Sequence, residues 1–169
     1  MGILSGNSND EPMHYGEVYG AWAFLTAAKG SIAGNQTHLN HAGDEDLRKL
    51  LEETIQEGQN EVNQIETLLK NNGVDMPPTP PERPKASLED IPVGARFMDQ
   101  EIAAALSAEI AAGLVACSKM IGQSIREDIA MMFEQIHTQK ASLGAKVLKL
   151  NKEKGWLIPP PLHHGTAKD

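Results

Sequence analysis

The chain has 169 residues, a formal charge of −8, and 40 % hydrophobic but only 4 % aromatic residues. That length favours one domain with a real core, and an apolar fraction supplied mostly by Ala, Leu, Ile and Met favours helices over a β-sandwich. The acidic balance argues against a nucleic-acid partner, which needs a basic patch, and a single cysteine, Cys117, rules out an internal disulfide framework or a CxxC zinc site.

In chain order, residues 1–12 are small and polar and read as a flexible N-terminal arm. MGILSGNSNDEP lacks the basic and apolar regions of a secretory signal, so the expectation is cytoplasmic synthesis without secretion. From Met13 an apolar period appears, with Val18, Leu25, Ile32 and Leu39 each seven apart and Trp22 between the first two. Gly43 is expected to stop this first helix in a left-handed cap, and Asp44 to cap the second. The second helix carries Leu51, Ile55, Gly58, Val62, Ile65 and Leu69 and ends at Asn71-Asn72-Gly73.

Residues 71–94 then carry prolines at 77, 78, 80, 81, 84 and 92, which forbid a helix and cannot serve an interior strand. A third helix is expected from about Ala95, with Ile102, Leu106, Glu109, Gly113, Ala116 and Met120 on one stripe. Its apolar run, 102–117, is interrupted by Glu109 and too short to span a bilayer, so no membrane association is expected. A break is expected at Gly122, and Ser124 with Glu127 makes a capping-box pattern for the fourth helix. Ile129, Phe133, Ile136, Leu143, Val147 and Leu150 continue to about Lys154, and Gly155 stops the helix. Residues 155–169 read as an extended C-terminal tail, its Trp156-Leu157-Ile158 start packing over one bundle end and its last residues disordered.

Four helices of this size are each about 40 Å long, and an extended connector of about 22 residues reaches about 70 Å. The connector can therefore run the length of the bundle, leaving the second and third helices parallel. The expected fold is all-α: a four-helix bundle over 13–154, up-down-down-up with one long proline-rich crossover, the ferritin-like arrangement.

HYGEVYGAWAF at 14–24, KGSIAGNQTHLNHAGDEDL at 29–47 and KGWLIPPPLH at 154–163 resemble a family of ferritin-like proteins from spore-forming bacteria. Its members are uncharacterised or described as related to spore coat protein F. The resemblance covers nearly the whole chain and implies a ferritin-like bundle with a spore coat role. Coat proteins or further copies of itself are then the expected partners. It carries no catalytic motif, so no site residues transfer.

Ferritin-like bundles often hold two metal ions through one Glu from each of two helices and Glu-x-x-His from the other two. The candidates here are Glu109 and the pair Glu134 and His137, a Glu-x-x-His on the fourth helix; the second helix offers Glu61-Val62-Asn63-Gln64, with Gln64 where a histidine is needed. Relative to Ile136, His137 lies about 100° and Glu134 about 160° around the helix, which aims Glu134 at solvent. The reading is therefore no cofactor and no enzyme, with an iron, manganese or zinc oxidase or store as the alternative. His38 and His41 read as solvent-facing groups at a helix C-terminus, and Cys117 as an inert buried thiol. Lys29 and Glu109 both fall on inward stripes at similar depth, which predicts a partly buried ion pair between them. A small-molecule pocket around Trp22, Met120, Met131 and Met132 ranks below both other readings, since such stripes are usually core.

Overall fold

The apolar period resolves into α1 (Tyr15–His41), α2 (Glu45–Asn71), α3 (Asp99–Gln123) and α4 (Glu127–Glu153), with two 3-10 turns at 88–90 and 93–95. The structure, a computed structural model, describes residues 11–163, and these contain no strand. The expected arm (1–12) and the disordered C-terminal end fall largely outside them. α1 packs on α2 and α3 on α4, and the two hairpins meet through α1–α3 and α2–α4 contacts.

Contacts at the helix ends fix the directions. At one end the His14 Nε2 lies 3.1 Å from the Gln123 carbonyl oxygen; at the other, Gly43 N–H donates to Asp99 Oδ1 at 2.8 Å. α1 and α3 are therefore antiparallel. Lys154 Nζ reaches Asp44 Oδ2 at 2.7 Å, so α2 and α4 are antiparallel as well. α2 and α3 consequently run parallel, and the bundle is up-down-down-up.

Several caps differ from expectation. Gly43 is not left-handed; Ala42 caps α1 in extended conformation, and the Asp99 carboxylate instead takes the Gly43 and Asp44 N–H groups. That carboxylate sits in the first turn of α3 and so ties the α1–α2 corner to it. Asp44 does cap α2, accepting from Asp46 and Leu47 N–H. α3 starts four residues later than expected, at Asp99, and runs through Gly122, with Ser124 as its C-cap. Ser124 does not cap α4. The free N–H groups of Ile125 and Arg126 are taken by Glu17 Oε1 at 2.9 and 3.0 Å, while Glu17 Oε2 accepts His14 N–H at 3.0 Å. One fully buried carboxylate therefore serves both the start of α1 and the α3–α4 turn. Among the described residues, Gly73 and Gly155 are the two positions that need φ near +70°, closing α2 and α4. Among the described residues beyond Gly155, only Trp156 packs on the core; Leu157 and Ile158 are exposed, so the apolar contact expected of Trp156-Leu157-Ile158 is one residue long.

The proline segment is held by α1. Five of its backbone groups bond to α1 side chains: Trp22 Nε1 donates to Asp75 O, Lys29 Nζ to Pro77 O and Asn40 Nδ2 to Pro84 O, while Gln36 Oε1 accepts from Arg83 N–H and Asn40 Oδ1 from Ala86 N–H, all between 2.9 and 3.1 Å. Trp22, Lys29 and Gln36 are each seven residues apart, so one edge of α1 faces the connector along its course. Further on, His41 Nδ1 accepts from Phe97 N–H, and the His38 and His41 rings flank the Phe97 ring. Both histidines are part-buried and position the entry of α3, so they are not the solvent-facing groups expected.

The expected Lys29–Glu109 ion pair is not formed. Lys29 Nζ pairs with Glu66 at 2.7 Å and with the Pro77 carbonyl, whereas Glu109 is bonded by Ser31 and Asn35. Depth along the axis is similar for both residues, but Lys29 lies about 200° around α1 from Ser31 and so faces α2 and the connector. Lys29→Met should leave the Pro77 carbonyl without its donor and cost about 1–3 kcal/mol of unfolding free energy. A urea midpoint lowered at unchanged slope is the expected result; an unchanged midpoint would show that this bond contributes nothing.

Candidate functional site

The apolar core is split into two clusters. One centres on Leu25, Ile65, Phe133 and Ile136, the other on Leu47, Leu51, Ile102 and Leu106. Between them lies a polar waist built from Ser31 and Asn35 of α1, Thr54, Glu57 and Glu61 of α2, Glu109 of α3 and Lys140 of α4. Beside it, a cleft of about 500 Å³ opens between α1 and α3, because Gly16, Gly20, Ala23 and Ala27 face Ala112, Gly113 and Ala116 with too little side chain to close the gap.

At the floor, Glu61 is 2 % exposed and its carboxylate meets Lys140 Nζ at 2.8 Å. The Lys140 stem crosses α3 at Gly113, where a Cβ would sit 2.8 Å from Lys140 Cδ, and its ammonium lies 5.7 Å from the Phe24 ring centroid. Glycine at 113 is what allows the lysine to reach inward. Asn35 Nδ2 donates to both Glu109 oxygens at 3.1 and 3.2 Å, and Ser31 Oγ also donates to Glu109. Burial raises the pKa of Glu61, opposed by the Lys140 charge, and burial also raises that of Glu57. Both carboxyls therefore bind protons more tightly folded than unfolded. The stability they contribute is present below the ordinary carboxylate range and falls as pH rises through their elevated values.

The waist does not assemble the metal set suggested by the fold. Glu134 is exposed, His137 is part-buried, and no group of three or more His, Cys, Asp or Glu suited to a metal ion occurs among the described residues. At the inward position of α4 the chain places Lys140, so an ammonium provides the positive charge among the waist carboxylates. Chemically the waist is an internal ion-pair and hydrogen-bond layer. Cys117 lies nearby, where burial pushes its thiol up to about 12 despite the opposing Lys140 charge. Trp22, Met120, Met131 and Met132 do not gather into a pocket: Trp22 bonds the connector, Met120 is core beside the cleft and Met131 is exposed.

Sequence reasoning missed Glu17 and Lys140, and met Glu61 only as the start of Glu61-Val62-Asn63-Gln64 without its partner, although the signal was present. Lys140 fills the gap in the series Ile129, Phe133, Ile136, Leu143, Val147, whose 4-3 spacing requires an inward residue at 140. Glu61 similarly lies four before Ile65, and Glu17 four before Ala21. A charged residue at such a position reads as an interruption until its partner is known.

Lys140→Met should leave Glu61 buried without its cation and cost about 3–5 kcal/mol, and a Glu61→Met, Lys140→Met double variant should recover most of that loss. Chemical denaturation of the three proteins measures this; a double variant as unstable as the single one would contradict the pairing. Because its thiol is buried and its pKa high, Cys117 should react with Ellman's reagent in native protein no faster than the chain unfolds, even at pH 9. Rapid stoichiometric labelling would contradict its burial.

Comparison with known proteins places these features in a family. A solved structure from Bacillus halodurans C-125, provisionally described as a spore coat protein, is 58 % identical and superposes with a TM-score of 0.92, covering 94 % of this chain and 99 % of that one. The uncharacterized protein YvdQ of Bacillus subtilis (strain 168) is 62 % identical over 163 residues, 96 % of each chain. A DUF305 fragment from Deinococcus radiodurans shares the fold at a TM-score of 0.67 and 15 % identity, covering 85 % of this chain and 99 % of the fragment. The profile described as "Protein of unknown function (DUF3231)" matches residues 1–168, and the chain belongs to that family.

Proposed function

We propose that this protein is a structural component of the bacterial spore coat, built on a ferritin-like bundle that carries a structural ion-pair layer in place of a di-metal centre. The observation that carries the reading is the likeness, at 58 % identity over 94 % of the chain, to a protein provisionally described as a spore coat protein. The chemistry of the waist supports it. Lys140 neutralises Glu61 from within the bundle, and Asn35 and Ser31 bond Glu109, so these polar groups hold the helices in register. Its partners are then other coat proteins, or further copies of itself, and the long crossover supports reading the bundle as ferritin-like.

A fluorescent fusion expressed from the native promoter in sporulating cells tests this. The expected signal is a shell around the forespore that persists on purified spores; a uniform vegetative cytosolic signal, absent from spores, would overturn it. Plasma-emission analysis of purified protein should find only substoichiometric iron, manganese and zinc, and a full equivalent of any of them lost on Glu61→Ala would favour the metal-binding alternative.

A further inference from the structure

One helix face has no partner among the described residues. By length and composition alone α3 is long and apolar enough to cross a membrane, unlike the shorter 102–117 run expected from the sequence, yet only 28 % of its apolar stretch is buried. Ala104, Ala105, Ala108, Ala111, Ala112 and Val115 are all exposed, and at about 100° per residue they fall within about 60° of Ala108 on one outward stripe. The face continues onto α1 across the open cleft, where Tyr15 and Tyr19 are 92 % and 70 % exposed.

Two glycines add an independent observation. Gly30 and Gly34 are exposed in the interior of α1, and a Cβ at either would meet nothing within 4 Å. Glycine inside a helix is destabilising relative to alanine. Gly20, Gly58 and Gly113 meet Met120, Ile32 and Lys140 at close range, so packing within the chain accounts for them. No such packing accounts for Gly30 and Gly34. Close approach of a backbone from outside does, because small residues on facing helices let the axes come to about 8 Å.

We propose that this α1–α3 face binds a second copy of the chain about a twofold axis, α3 lying antiparallel to the partner's α3. The charges select a copy over other occupants. The stripe has one acid near its start, Glu101, and one base near its end, Lys119, 18 residues apart and on the same side as Ala108. Antiparallel pairing centred near residue 110 sets each Glu101 against the partner's Lys119 and packs the alanines between them. A twofold interface must complement itself, and this face does. It is also neutral, whereas the whole chain carries −8, so two copies meet here without the repulsion expected over most of the surface. Tyrosine is a favoured interface residue, and Tyr15 and Tyr19 widen the contact. The inference stands on the surface itself: a dimer located outside the coat would keep it, and a monomer located in the coat would remove it.

Sedimentation velocity on the full chain should show a species of twice the 18.3 kDa chain mass. Ala108→Arg sets cations near the axis and should shift the protein to monomer, with helix content unchanged because Ala108 is exposed. Lys119→Glu and Glu101→Lys should each raise the dimer dissociation constant at least tenfold. An equimolar mixture of these two variants should recover association, since every end pair then joins opposite charges. A wild-type protein that stays monomeric to millimolar concentration would overturn the proposal, as would a dimer indifferent to Ala108→Arg and to the charge exchange. Flotation of a monomeric wild type with anionic phospholipid vesicles would assign the face to lipid and equally sink it.

Discussion

A proline-rich strand of backbone has carbonyls to satisfy and few N–H groups to offer, and it cannot satisfy them within itself. In this protein α1 supplies the missing partners. Trp22, Lys29, Gln36 and Asn40 bind the segment from Asp75 to Ala86 along one edge of the helix. The segment is thereby laid along the bundle, and α3 begins at the same end as α2. The parallel α2–α3 pair follows from this, as does the meeting of His41 and Asp99 with the turns around them. Prolines also restrict the unfolded connector, so less entropy is lost in laying it down.

The bundle spends its polar residues at its ends and its middle. At one end Glu17 and Arg126 gather backbone and side-chain groups from every neighbouring segment: Glu17 takes three N–H groups, and Arg126 bonds Asp128, Asn72 and the Glu11 carbonyl. At the other end Lys154 clamps Asp44 and Asp46. The middle holds Glu61, Lys140, Glu109 and Asn35. Buried pairs of this kind add little net stability relative to apolar packing, but a wrong register leaves charges unmatched. Placing them between two apolar clusters makes sliding of one helix past another expensive. Small residues between α1 and α3 leave the cleft beside this layer open on one side of the molecule.

Much of the fold was legible in the sequence because it depends on period and on proline. The four helices, the Asp44 cap, the Gly73 and Gly155 stops and the crossover topology all follow from local chemistry, whereas the bounds of α3 did not. What failed was angular. Lys29 and Glu109 were matched by depth, but a difference of about 200° around α1 turns Lys29 toward Glu66 and gives Glu109 to Ser31 and Asn35. Glu61 and Lys140 stood at inward positions on their own helices, yet nothing in the chain's linear order joins residues 79 apart. The caps at Gly43 and Ser124 failed for a related reason: Asp99 and Glu17, distant in sequence, take the N–H groups that local residues were expected to satisfy.

The dependence of the fold on the docked crossover is open to direct measurement by amide hydrogen exchange. Arg83 and Ala86 lie in an exposed, proline-bounded segment without regular structure, yet their N–H groups bond Gln36 and Asn40. If α1 holds the segment, both amides should exchange far more slowly than their exposed neighbours at Lys85 and Glu82, and Gln36→Ala or Asn40→Ala should abolish the protection at the amide each residue binds. Exchange of Arg83 and Ala86 at the rate of an unstructured peptide in the wild-type protein would contradict the account.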